Sequence, residues 1–400
     1  MTERCQMNLA LLSAEYPPQP GGVGDYTKQL GEELKRHNQT VHIITSVRRN
    51  QEQNSFTVLP QIVLPVSVWN WQCWSAVIDT LNQIRPDVLH IQYQTGAYGM
   101  HPAINFLPWR LSRLPGRPRV VVTAHDLLVP YLFPKAGWVR HWVTRRLLAD
   151  TDRVVVTNPH DYAYIQQHYG RPLHQRPQLI PIGSNIAVAP PTGYDRVEWR
   201  RQYGIRANTI IVAYFGLLSS SKGVDTLIDA LGQLPPPYCL LIIGGATTTP
   251  QDQVYAQKIT DQINNLGLAQ RVIRTGHCNE SDVSAHLLAV DMVALPFVDG
   301  ASFRRGSLLA ALAHGVPVIT TRGHSMPIVD GFPQLIDGEQ ALLVPPQNAS
   351  ALAQAIQKLT NDSVLGTALG KQGQSLAQHF SWDIIADQHI ALYENLLAEL

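Results

Sequence analysis

The chain has 400 residues, 45% of them apolar, and a formal net charge of +1. A length beyond the ~250–300 residues that one core fills predicts two domains, and near-neutrality with a charged fraction of 15% points away from a nucleic-acid partner. The charge is divided unevenly. Residues 1–187 carry 18 Lys and Arg against 12 Asp and Glu, and residues 188–400 carry 13 against 18. A basic first half suits an anionic partner on that side; a chance imbalance gives the same numbers. Cys5, Cys73, Cys239 and Cys278 lie far apart with no Cys-x-x-Cys, which argues against a disulfide framework or a zinc site and for a reducing cytoplasm. No apolar run reaches the ~18 residues of a membrane span, and Met7–Ser13 reads as a first strand rather than a signal peptide.

In chain order, the strand Met7–Leu12 runs into Tyr16-Pro-Pro-Gln-Pro-Gly-Gly-Val-Gly-Asp-Tyr26. A helix over Asp25–Arg36 follows, with Tyr26, Leu30 and Leu34 at spacing four. Val41–Thr45, Val88–Ile91, Val120–Thr123 and Val154–Thr157 are short β-branched runs expected of buried parallel strands. Trp74–Ile84 reads as a helix stopped by Pro86, and Leu179–Ile182 closes the half. Residues 184–204, with Ala189-Pro-Pro-Thr-Gly193, read as the linker. Strands near Ile210–Tyr214, Cys239–Ile243, Val272–Thr275, Met292–Leu295, Val316–Thr320 and Ala341–Val344 then alternate with helices, and Trp382–Leu400 reads as an amphipathic helix. This alternation predicts α/β domains with doubly wound parallel sheets.

Two segments of this pattern favour phosphate. Gly21, Gly22 and Gly24 let the backbone turn sharply into a helix, whose first N–H groups and dipole favour an anion. Tyr214-Phe-Gly216-Leu-Leu-Ser-Ser-Ser-Lys222-Gly223 repeats the arrangement. Structural turns account for the same glycines, and a solvated loop lysine for Lys222. His125-Asp126 follows a strand end, where ligand contacts concentrate in such folds; a structural histidine is the alternative. In Asp299-Gly-Ala-Ser302-Phe-Arg304-Arg305-Gly306-Ser307, two arginines stand at the start of a helix over Leu308–His314. Cations oppose the dipole there unless an anion is present, which favours a ligand-binding role. Asp150-Thr-Asp152 has metal-on-diphosphate spacing but falls where a turn is needed, so it is read as a turn. Six of eight tryptophans lie in the first half, and Trp138–Leu148 mixes Trp138 and Trp142 with Arg140, Arg145 and Arg146. Such a stretch suits an anionic membrane surface or packing within the domain.

In order, the Pro-Pro-x-x-Gly-Gly-Val-Gly-x-Tyr start, Thr123-Ala-His125-Asp126, Leu179-Ile-Pro-Ile-Gly183, Lys222-Gly-Val-Asp-Thr-Leu-Ile228, Ala313-His-Gly-Val-Pro317, Asp337-Gly-Glu-Gln-Ala-Leu-Leu-Val-Pro345 and Phe380-Ser-Trp382 resemble glycosyltransferase family 4. The resemblance covers nearly the whole chain. It implies the GT-B fold: two Rossmann-like domains facing across a cleft, at 1–185 for the acceptor and 205–380 for the nucleotide sugar, with a helix at 381–400 crossing back to the first. It also implies transfer of a sugar from a nucleoside diphosphate sugar with retention, with no metal and no cofactor. By resemblance His125 and Lys222 are the catalytic candidates. Gly22, Val23, Gly24, Gly216, Lys222, Arg304, Arg305, Gly306, Ser307 and Leu308 are expected on the donor, and Glu15, Tyr26, Gln92, Tyr98 and Asp126 on the acceptor side. Two departures stand out. Leu217 occupies the place of the family's arginine, and Ser302 and Ala310 the places of its two glutamates. Arg304 or Arg305 is expected to replace the missing cation.

The reading is a cytoplasmic retaining glycosyltransferase that builds a glycolipid or polysaccharide at the inner face of the membrane. Its expected partners are a nucleotide sugar, a lipid-linked or glycan acceptor and an anionic membrane surface. The alternatives are a non-catalytic nucleotide-sugar-binding protein, motivated by the lost glutamates, and a sugar-nucleotide epimerase on the same fold.

Overall fold

The computed structural model describes residues 6–18, 21–46, 61–64, 68–127, 137–169, 176–245, 247, 249–323 and 327–399, with backbone only at 61–64, 137 and 140. The chain forms two compact units. The first comprises Met1–Gly183, Pro327–Val329 and Trp382–Leu400; the second comprises Ser184–Met326 and Asp330–Ser381. The segment expected as a linker is counted with the second unit and contains a helix, Arg196–Gln202, whose N-terminus is capped by Asp195 accepting from the Glu198 N–H at 2.8 Å.

The first unit holds strands β1 (Asn8–Leu12), β2 (Thr40–Ser46), β3 (Gln61–Leu64), β4 (Val88–Tyr93), β5 (Arg119–Ala124), β6 (Arg153–Val156) and β7 (Gln178–Leu179). They form one seven-stranded sheet in the order β3-β2-β1-β4-β5-β6-β7, with every pairing parallel. Period-two alternation sorts β1 onto two faces. Leu9 and Leu11 join Tyr26, Leu30, Leu34 and Val121 on one side, while Ala10 and Leu12 join Trp69, Val77, Leu89 and Tyr93 on the other. All six residues of β4 are buried, as a central strand covered on both faces requires. The final helix, Trp382–Ala398, completes the first face with Ile385, Ile390 and Tyr393. The His37 ring ties it to helix Gly22–Arg36 through Asp383 at 2.9 Å and Asp387 at 3.2 Å.

The second unit holds β8 (Ile210–Gly216), β9 (Tyr238–Gly244), β10 (Val272–Gly276), β11 (Met292–Leu295), β12 (Val318–Thr321) and β13 (Leu342–Val344) in the order β10-β9-β8-β11-β12-β13, again parallel. In each sheet the winding direction reverses once, between β1 and β4 and between β8 and β11. The loops at the carboxyl ends of those strands diverge, and the opening between them is where doubly wound sheets take ligands.

Two local differences from the sequence expectation have clear causes. The first helix starts at Gly22 rather than Asp25, because glycine is tolerated in a first turn whose N–H groups have no intrahelical partner. β3 was not anticipated; its four residues, Gln61–Leu64, are too few for a period to be read. Asp150 and Asp152 serve the turn. Asp152 takes Arg117 at 2.6 and 2.8 Å and the Val120 N–H at 2.7 Å, and Asp150 takes Arg146 at 2.8 Å.

Candidate functional site

In the second unit the site forms where β8 and β11 end. After Gly216 the chain makes a short turn, Ser220–Lys222, and then Gly223, at φ +67°, starts helix Val224–Gln233. A Cβ on Gly223 would lie 2.0 Å from the Pro296 carbonyl oxygen, so only glycine lets this loop approach the end of β11. The Val298 N–H donates to the Ser221 carbonyl at 3.0 Å and joins the two loops. This join aims Lys222 at Phe297, with Nζ 5.3 Å from the ring centre. The Arg305 guanidinium faces the same ring at 4.9 Å, within cation–π range. Burial pushes the Lys222 amine down to about 8, Arg305 pushes it the same way, and Asp299 opposes both. The Arg305 Nη2 group reaches both Asp299 oxygens at 2.5 Å.

Arg305 is also the N-cap of helix Gly306–Ala313 and makes no side-chain cap bond. Gly306 and Ser307 open this helix beside the two cations. Its first-turn N–H groups therefore add partial positive charge to the same corner. Arg304 is exposed, and its N–H donates to the Ser302 hydroxyl at 3.3 Å. Leu308 corrects its expected place on the donor. Its side chain is buried and its N–H already donates to the Arg305 carbonyl at 2.9 Å. Leu217 is 46% exposed and supplies no charge, while the buried Tyr214 hydroxyl donates to its carbonyl at 2.6 Å. Ala310 lies in the core, where a carboxylate would be desolvated.

In the first unit the corresponding corner lies past β1, β4 and β5. Gly24 sits where a Cβ would be 3.0 Å from the Glu15 carbonyl carbon, so the helix start packs on that backbone. A Cβ on Gly21 would meet the Glu15 carboxylate, whereas Gly22 faces open space. His125 receives its place from β5. Its N–H donates to the Tyr93 carbonyl at 2.9 Å, and Nε2 lies 2.9 Å from Oε1 of the buried Gln92. That contact puts a proton on Nε2 and fixes the ring plane. Asp126 is half-buried next to it. Tyr26 and Tyr98 correct the acceptor-side expectation. Both are buried: Tyr26 meets the His125 ring edge-on at 4.7 Å and Trp382 at 5.2 Å, and Tyr98 donates to the Gln92 carbonyl at 3.1 Å. They support Gln92 and His125 from behind. Phe297 and Asp299 were not singled out from sequence. A strand-end Pro-Phe followed three residues later by Asp-Gly was the only signal available.

Residues 21–183 match the model for the glycosyl transferase 4-like domain, and residues 209–362 match that for group 1 glycosyl transferases. The chain belongs to the family 4 glycosyltransferases. Among its relatives, the D-inositol 3-phosphate glycosyltransferase of Corynebacterium glutamicum is 28% identical over 263 residues, a match spanning 64% of this chain and 60% of that relative's length. Sucrose-phosphate synthase from Thermosynechococcus elongatus superposes with a TM-score of 0.76 at 25% identity, covering 99% of this glycosyltransferase and 100% of that chain. Anabaena HepE, solved with UDP, superposes at 0.72 with 21% identity, covering 98% and 100%. The fold of this glycosyltransferase is therefore that of the GT-B enzymes.

Proposed function

We propose that this glycosyltransferase moves a sugar from a nucleoside diphosphate donor to a glycolipid or polysaccharide acceptor, with retention and without a metal. The observation that carries the reading is the convergence of Lys222 and Arg305 on Phe297, beside a helix start that lacks a side-chain cap. As the anomeric C–O bond breaks, its electron pair leaves with the diphosphate. The acceptor hydroxyl forms the new C–O bond on the same face, and the departing phosphate oxygen takes its proton. Charge grows on the diphosphate, where Lys222, Arg305 and the N–H groups of helix Gly306–Ala313 oppose it; such preorganised donors are the largest lever on a transition state. Two fixed cations do the work that a divalent ion does at other diphosphates. UDP in HepE supports a nucleoside diphosphate here. The relative named for D-inositol 3-phosphate, together with the basic first half, supports an acceptor that carries phosphate, such as a lipid-linked one. His125, held by Gln92, is the catalytic candidate of the first unit. Cys73, Cys239 and Cys278 are free thiols, which suits the cytoplasm.

A panel of nucleotide sugars, read by nucleoside diphosphate release, tests the reading. Release from one donor that depends on Lys222 and Arg305 is expected. Binding of nucleoside diphosphate with no release from any donor favours the second reading, a non-catalytic binding protein, which Ser302 and the buried Ala310 motivate. Interconversion of the sugar without release favours an epimerase.

A further inference from the structure

The aromatic residues that the site does not use gather on the surface of the first unit. Trp71 is 48% exposed, Trp142 47% and Trp138 78%. Trp71 stands edge-on to Trp74 at 5.1 Å and to His101 at 5.4 Å, and lies 5.8 Å from Phe106. Phe106 in turn lies 5.5 Å from Trp142. Trp138 precedes Trp142 by four residues on helix Gly137–Ala149, so both indoles share one face of it. Three separate segments thus build one aromatic surface: the start of helix Cys73–Ile84, the turn Ile104–Phe106, and helix Gly137–Ala149 packed against that turn.

The sequence left Trp138–Leu148 open between an anionic membrane surface and packing within the domain, and the structure divides the stretch between the two. The helix does not segregate its own apolar and basic residues, and Val143, Leu147 and Leu148 point into the core. The outward apolar surface comes from its neighbours. In chain order the turn Ile104–Phe106 follows β4 and helix Gly137–Ala149 follows β5, the strands whose carboxyl ends carry Gln92 and His125.

One cation borders this surface, and another follows its middle segment in the chain. Arg145 is exposed and follows Trp142 by three residues on the same helix face, and Arg113 lies over the Trp109 ring at 4.0 Å. Helix Gly137–Ala149 contains no acidic residue.

We propose that this aromatic and basic surface docks the first unit on an anionic lipid bilayer, with the indoles among the headgroups and Arg145 against lipid phosphates. An indole has an apolar body and a polar N–H, which makes the bilayer interface its preferred place. A second copy of the chain would bring like charges together, since residues 1–187 hold 18 cationic against 12 anionic side chains. The proposal rests on the reading of the first unit as the acceptor side. It adds that the enzyme meets a lipid-linked acceptor at the bilayer itself.

The experiment uses the full chain with phosphatidylcholine vesicles, with and without phosphatidylglycerol, and reads co-sedimentation and indole emission. Binding to phosphatidylglycerol vesicles at low salt is expected, at least ~tenfold weaker without the anionic lipid and falling steeply with added salt. The Trp138→Ala/Trp142→Ala pair should weaken binding at least ~tenfold by removing interfacial apolar area. Arg145→Gln should flatten the salt dependence. Trp138→Ala alone, at the most exposed position, serves if the pair lowers the melting temperature. No binding to anionic vesicles, equal binding to both compositions, unchanged binding of the variants, or a dimer that buries the indoles in solution would each overturn the proposal. Vesicle binding is measured without turnover. Intact binding with no sugar transfer therefore overturns the enzymatic reading alone, and intact transfer to a soluble acceptor with no binding overturns only the docking surface.

Discussion

Lys222 and Arg305 face one ring: the amine stands 5.3 Å and the guanidinium 4.9 Å from the centre of Phe297. Two cations held together repel, and burial of the amine raises the cost. Asp299 offsets part of it by holding Arg305, and the diphosphate proposed for this corner would offset the rest. Arg305→Ala is expected to weaken nucleoside diphosphate binding by about 1.5–3 kcal/mol, the range for a hydrogen bond to a charged group. Binding of the uncharged nucleoside should barely change, and Arg304→Ala should change neither, because Arg304 is exposed. Calorimetry on the two variants decides. Equal losses for diphosphate and nucleoside would remove Arg305 from the phosphate site.

Lys222 carries its charge only below about 8. Diphosphate affinity should therefore be full below that value and fall as pH rises through it, with proton uptake on binding between about 8 and the free-amine range. Lys222→Arg should keep the charge and flatten this profile. Lys222→Ala should lower kcat/KM at least ~10²-fold, as for loss of one preorganised donor. A loss under threefold would exclude the role.

Gly223→Ala should destabilise the second unit by more than the ~1–3 kcal/mol of left-handed backbone strain, since its Cβ also strikes the Pro296 carbonyl. Thermal unfolding measures this. A melting temperature unchanged from the parent would mean that the two loops do not meet as described. Gly22→Ala, with open space at its Cβ, is the control and should be tolerated in folding.

His125→Ala should cut turnover with little effect on melting temperature, because the imidazole is half-buried and its strand is held by backbone bonds. Gln92→Leu should reproduce part of the loss by releasing the ring. Unfolding of the His125 variant, with no specific kinetic defect in a milder His125→Asn variant, would make the residue structural.

Acid should loosen the first unit. His90 is buried between Tyr393 at 2.6 Å and Thr123 at 2.7 Å, and His389 lies 5.4 Å from it. Burial holds His90 well below the ordinary imidazole range, with His389 and His125 adding to the effect, and pushes His389 down to about 4. Unfolded histidines take protons near 6.5, so these two contribute stability that is present above that pH and is lost as pH falls toward about 4. Urea unfolding between pH 7 and 4 should show the decline, and His389→Gln should make it shallower. An identical slope in the variant would rule out the pair as its source.

Much of the fold is legible in the amino-acid sequence. β-branched runs marked several of the strands because they suit a parallel strand buried on both faces; Val120–Thr123 lies within β5, Arg119–Ala124. The glycine loops were legible because few other residues can leave a strand and enter a helix at once. At the site, Lys222-Gly223 and Arg304-Arg305 stood out as cations at helix starts. Asp299 and Phe297 did not, because their roles exist only through the partners they meet.

Chain-local chemistry thus set what a short stretch can decide alone: the alternation of strands and helices, the glycines where backbones must touch, and the cations that a helix start disfavours. Tertiary packing decided direction and burial. It turned Arg305 toward Phe297 and left neighbouring Arg304 exposed, since consecutive side chains leave the backbone on different sides. It drew Tyr26 and Tyr98 into the core and assembled Trp71, Phe106 and Trp142 from three segments into one surface. The reason is physical: propensity and charge act over a few residues, whereas whether a side chain loses its water depends on what a distant part of the chain brings against it.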